Sequence, residues 1–272
     1  MRRACLALAV LPCLLVSPAC KEDPPATDEA DDTTETGEPL TCLDTQVPGE
    51  DIIIHSDADM EELALSGCVA EHIIVSGGAV TSLAGLSELR QVGILDIRYN
   101  PTLESLAGIE NLERVDSLII TGNNLVTDLP SFPNLRLGRV SITANNILAD
   151  LGSFPAATDL TRLELASNLA LTDFSGFENL TEVSGDAIFS NNPLIVDFTG
   201  FEMFGAVGGD LTIEDNPELL SFDGFGLQAV TGGIRIVTNP KLSDCLVADF
   251  LAMLQTGGGA IVVNGNKSAI CD

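Results

Sequence analysis

Side chains able to do acid–base or nucleophilic chemistry are few: two histidines, His55 and His72, and seven cysteines among 272 residues. A Ser-His-Asp or Cys-His site needs a base held against a nucleophile, and a GxSxG elbow would announce one common version. No such motif accompanies either histidine. Both lie beside isoleucine-rich stretches near the N-terminus, where a histidine that is merely exposed or hydrogen-bonded is expected. Zinc would draw on Cys68 and His72, yet Cys68 has a better partner in another cysteine. Calcium would draw on acidic corners such as Glu214-Asp215-Asn216. It needs six or more convergent oxygens, and neither an EF-hand nor a nonapeptide repeat is present. No catalysis, cofactor or metal site is expected.

The cysteines carry more information. Residues 1–19 read as a secretory signal: Arg2-Arg3, an apolar run from Ala4 to Val16, then Ser17-Pro18-Ala19. The run is too short to span a bilayer as a helix. Export permits disulfides. Removing Cys5 and Cys13 with the signal leaves five cysteines, four of them spaced as Cys42 with Cys68 and Cys245 with Cys271. Four cysteines allow three connectivities; the two local pairs are favoured, and each would contribute about 3.5 kcal/mol. Cys20 is left over. Its setting resembles the lipid-modified cysteine of bacterial lipoproteins, with Ser17 where leucine is usual and an uncommon Pro18. That resemblance implies a lipid anchor on Cys20 and an outer-membrane or cell-surface location; ordinary cleavage after Ala19, giving a soluble secreted protein, is the alternative. Residues 20–41 carry eight carboxylates and one lysine with almost no apolar content, as a disordered, self-repelling tether would.

Residues 42–272 must supply the rest. Asn100, Asn123, Asn145, Asn168, Asn192, Asn216 and Asn239 recur at intervals of 22–24 residues. Such a period marks a solenoid. Each asparagine follows two apolar residues spaced two apart, as in Leu95-Asp96-Ile97-Arg98-Tyr99-Asn100, which predicts a short strand pointing both inward. Apolar residues three and six positions later, such as Leu103 and Leu106, fit a chain that turns a corner and runs back along another wall. A buried amide there satisfies inward-facing backbone groups, so the seven asparagines should form a ladder. Gly85, Gly108, Gly176, Gly200 and Gly224 precede bulky residues that fill the core. Pro101, Pro193, Pro217 and Pro240 directly follow ladder asparagines, as suits a turn. Helical caps are predicted from Ser56-Asp57-Ala58-Asp59 and from Asp244 through Leu254.

The predicted fold is therefore mainly β: a capped solenoid of about eight coils. The recurring Leu-x-Ile-x-x-Asn frames, the Cys68-Val69 segment entering Ile74 and the Cys245-to-Cys271 end resemble the receptor L-domain family, relatives of leucine-rich repeats. The resemblance spans about residues 41–272 and implies a right-handed β-helix-like domain, often with a binding role. Departures are the leucine at the third rather than second position after the asparagine, and Gly77 in the first coil's asparagine slot.

A net charge of −28 argues against nucleic acid and anionic headgroups as partners. Membrane contact would come only through lipid on Cys20. Two outward columns are predicted on the sheet: Ile73, Asp96, Ile119, Ser141, Glu164, Ile188, Thr212 and Arg235; then Val75, Arg98, Thr121, Thr143, Ala166, Ser190, Glu214 and Val237. Only three of these sixteen positions are carboxylates. Outward Ile119 and Ile188 suit a partner better than water. The expected function is a non-catalytic, monomeric surface lipoprotein binding an unknown protein or glycan. A structural envelope protein without a ligand is the main alternative.

Overall fold

A computed structural model describes residues 51–62 and 70–271. Cys20, Cys42 and Cys68, with the expected signal and tether, lie outside the described residues. Strand β1 (Ile52–Ser56) leads into helix α1 (Asp57–Glu62), then β2 (Ala70–Ala79), β3 (Gln91–Arg98), β4 (Arg114–Thr121) and β5 (Arg136–Thr143). From there each coil carries a two-residue strand and then a longer one: β6 (Asp159–Leu160) and β7 (Arg162–Ala166), β8 (Glu182–Val183) and β9 (Ala187–Ser190), β10 (Ala206–Val207) and β11 (Leu211–Glu214). The last two coils add β12 (Ala229–Val230), β13 (Ile234–Val237), helix α2 (Asp244–Met253), β14 (Gln255–Thr256) and β15 (Ile261–Asn264).

The longer strands form one ten-stranded parallel sheet in sequence order, β1 to β15, and the two-residue strands form a second, five-stranded wall. The result is a parallel β-solenoid of about nine turns. The sequence implied a second wall but not that it carries strands, because a two-residue strand leaves no alternation to read.

Inside, apolar side chains stack coil on coil. Phe132, Phe154 and Phe177 form a column with ring centroids 4.9 and 4.7 Å apart. Phe198 and Phe225 stack at 4.2 Å, and Phe250 of α2 closes the column against Phe222 at 3.9 Å. That helix begins where predicted: Ser243 accepts the Cys245 N–H at its N-terminus. The Cys245–Cys271 disulfide ties it to the chain beyond β15. At the other end Ser56 and Asp59 bond each other's backbone N–H groups, a capping box with aspartate in the acidic position.

The corner is the strictest part of each coil. Every ladder asparagine after Asn100 accepts, through Oδ1, the backbone N–H of the asparagine one coil earlier, as from Asn145 to Asn168 (3.2 Å) and from Asn168 to Asn192 (3.1 Å). Its Nδ2 donates to a strand carbonyl of the preceding coil: Asn168 to Ile142 at 2.8 Å, Asn192 to Leu165 at 2.8 Å. All seven are buried. An eighth member, Asn266, receives the Asn239 N–H at 3.1 Å and donates to Ile236. It escapes a fixed-period reading because α2 lengthens that coil to 27 residues.

Such a corner requires a left-handed residue just before the asparagine. Tyr99, Ala144, Ser167, Asn191, Asp215 and Thr238 hold φ between 53° and 59°, and Gly122 and Gly265 fill the same slot in their coils. A non-glycine residue there costs about 1–2 kcal/mol, which the ladder bonds offset.

Candidate functional site

The sheet face follows the predicted columns from β3 onward. Strand register aligns Asp96, Ile119, Ser141, Glu164, Ile188, Thr212 and Arg235 in one row, and Arg98, Thr121, Thr143, Ala166, Ser190, Glu214 and Val237 in the next. The first coil is a correction. Ile73 pairs with Leu95 and Val75 with Ile97, so both point inward and are fully buried. The outward residue is Ile74, opposite Asp96. A one-residue offset moves every side chain to the other face. Its source is the first corner, where Gly78 rather than Gly77 falls opposite Asn100, three residues beyond the Val75–Ile97 pair. Gly77 takes φ of 143°, which no side-chain-bearing residue adopts readily, so a Gly-Gly bulge near the end of β2 stands where the asparagine is missing. In consequence Asn100 Oδ1, buried, has no partner among the described residues.

A further outward row was missed: His72, Ile94, Ser117, Arg139 and Arg162. The signal was available. Strands β3 to β5 run eight residues each, two or more beyond the Leu-x-Ile frame from which the columns were drawn.

This face largely satisfies its own charges. Arg235 holds Glu214 with two bonds of 2.8 Å, Arg98 lies 3.3 Å from Asp96, and Arg162 reaches Glu164 at 3.9 Å and also pairs with Asp186. The Arg235 bonds hold the Glu214 carboxyl below the usual carboxylate range. Burial pushes Asp96 the other way, with Arg98 and His72 opposing the shift; only 5 % of the residue is exposed. Thr121 and Thr143 share a hydroxyl bond of 2.9 Å, and Ser141 donates to Glu164. Ile119 and Ile188 are half-buried rather than fully open, and Ala166 and Val237 are buried outright. A recess of about 200 Å³ lies between Thr212, Arg235 and Val262.

Among the described residues the histidines form no acid–base pair with a nucleophile. His55 Nδ1 meets the Ser76 carbonyl at 2.6 Å, and His72 Nδ1 lies 3.2 Å from Asp51. Among the described residues no three histidine, cysteine, aspartate or glutamate side chains converge as metal ligands would.

The large exposed apolar side chains of the middle coils lie elsewhere, outside the asparagine corner. Leu125, Ile147, Leu169 and Leu194, one per consecutive coil, are 41–46 % exposed. They were overlooked because the pattern was read for inward positions; what marked them was a leucine or isoleucine one or two residues after an asparagine. No protein-family model, curated protein or solved structure matches the chain. The fold itself therefore sets the class, a parallel β-solenoid with an asparagine spine.

Proposed function

We propose that this protein is a surface-displayed, non-catalytic binding module, tethered by lipid on Cys20 and presenting its solenoid to a protein or glycan. The observation that carries the reading is the continuous outward sheet face. It spans the ten strands of one parallel sheet and is poor in unpaired charge on a chain of net charge −28. Rigid repeat scaffolds with extended faces serve recognition, because each coil adds contact area without new chemistry. The resemblance to receptor L-domains, known for ligand-binding lobes, supports the same reading. Ile119 and Ile188 are the proposed apolar contacts on this face.

Two measurements test it together. Cys20→Ser should move the protein from membranes to medium. The exported chain, screened on arrays of glycans and envelope proteins, should give a saturable ligand whose binding is lost with Ile119→Glu plus Ile188→Glu. No saturable ligand would favour a purely structural envelope role.

A further inference from the structure

The ladder recurs in every coil from the second onward because the fold needs it; what lies outside the corner does not recur so far. Over four consecutive coils the four residues after each asparagine carry no charge: 124–127, 146–149, 169–172 and 193–196. The flanking coils break the run with Glu104 and Glu218. Leu125, Ile147, Leu169 and Leu194, each one or two residues after its asparagine, form an exposed ridge across these four coils; in the next coil Glu218 takes the second position and the exposed leucine, Leu220, lies at the fourth. At a coil spacing of about 4.8 Å the ridge is about 14 Å long. Exposed apolar rows on so charged a protein mark contact sites.

What covers the ridge is indicated by the row beside it. The fifth residue after the asparagine is Asp128, Asp150, Asp173 and Asp197 in these coils, but Ser105 and Ser221 in the coils on either side. The turn at this slot needs only an oxygen. Ser105 accepts the Ala107 N–H at 3.1 Å and Ser221 the Asp223 N–H at 3.2 Å, just as Asp150, Asp173 and Asp197 accept from Gly152, Ser175 and Thr199. At Asp128 the residue two positions on is Pro130, which has no N–H to give, and the carboxylate receives only the Thr127 hydroxyl among the described residues. The negative charge is thus surplus to the turn. Four stacked carboxylates also repel, and among the described residues none has an ion-pair partner.

We infer that the ridge docks a basic amphipathic helix of another protein, lying along the solenoid axis with its apolar stripe on Leu125, Ile147, Leu169 and Leu194 and its lysines or arginines over the aspartate row. Spacing selects a helix. One helical turn rises about 5.4 Å, close to the coil spacing, so three steps accumulate under 2 Å of mismatch. Same-face residues of a strand recur every 6.6 Å or so, and fall a full coil out of step within three. The two rows lie three residues apart in three coils and four in the Leu169 coil, about 10–13 Å of extended chain, close to the width of a helix. Charge disfavours the other occupants. An anionic membrane would be repelled, and among the described residues a second copy offers no cationic helix, since Asp57–Glu62 and Asp244–Met253 contain neither lysine nor arginine.

The inference rests on the binding-module reading but uses a different surface, so the two can fail separately. The probe is a synthetic peptide of about 18 residues, five turns, with leucines on one face flanked by lysines. It is titrated into the full exported chain by fluorescence anisotropy beside a scrambled peptide of equal composition. Saturable binding of the amphipathic peptide, at least tenfold tighter than the scramble and weakened by salt, is expected. Leu125→Gln, Ile147→Gln and Leu194→Gln together should weaken it at least tenfold. So should Asp→Ser at 128, 150, 173 and 197, a change the flanking coils already tolerate. Ile119→Glu with Ile188→Glu should leave it unchanged. Equal binding of the scramble, or undiminished binding by both ridge variants, overturns the inference. Loss of binding in the Ile119/Ile188 variant instead would return the site to the sheet face and spare the wider reading. Absence of saturable binding overturns the helix proposal, while an array ligand would still uphold the module.

Discussion

The inside and the outside of one corner follow different rules. Inside, asparagines bond one another from Asn100 to Asn266, and the backbone of the corner is paired throughout that stretch. Outside, only residues away, the apolar first or second position and the aspartate row occupy four coils, and Glu104 with Ser105 and Glu218 with Ser221 flank them on either side. A repeat that the fold requires must run the length of the array, since each coil meets the same steric and hydrogen-bonding demand. A repeat confined to part of the array answers some other demand. The difference separates scaffold from function without any relative to compare.

The largest expected effect belongs to the inside. Asn168→Ala removes the acceptor of the Asn145 N–H and the donor to the Ile142 carbonyl, orphaning two buried groups. The expected loss is about 2–3 kcal/mol in denaturant unfolding. Asn100→Ala orphans the Val75 carbonyl but no corner N–H, because its Oδ1 accepts nothing among the described residues. Its cost should be about 1 kcal/mol lower. Equal costs would mean that the ladder is not the shared spine of the stack.

Asp96, on the sheet face, is an intermediate case. Burial raises its folded pKa, so its contribution to stability is present below the unfolded pKa and lost as pH rises through the folded one. Asp96→Asn should therefore be neutral or stabilising at pH 7, by up to about 1 kcal/mol, with the difference vanishing in acid. Paired melts at pH 7 and in acid check this. A variant destabilised at pH 7 would show that the Arg98 pair outweighs the burial.

The same contrast explains what was legible in the sequence. The spine was readable because a buried amide in a fixed frame has few substitutes; only Asn266 escaped, displaced by α2. The sheet columns were readable from β3 onward, since each is anchored to its asparagine. The first coil was not, because its Gly-Gly corner carries no such anchor, and a one-residue error there inverted Ile73 and Val75. The ridge was overlooked for another reason. Half-exposed leucines are common singly, and only the stacking of coils brings four of them to the outside of one corner on consecutive coils.

The smallest expected effect is the most direct test of the claim that the outside of the corner is not there for the fold. Asp128→Ser, Asp150→Ser, Asp173→Ser and Asp197→Ser, made together and unfolded in denaturant at low salt, should leave the midpoint unchanged or raise it slightly. Serine keeps the turn's oxygen, and removing four stacked like charges relieves repulsion. A loss of about 1 kcal/mol or more per residue, the scale of a turn or cap bond removed, would contradict the account and make the aspartates part of the scaffold.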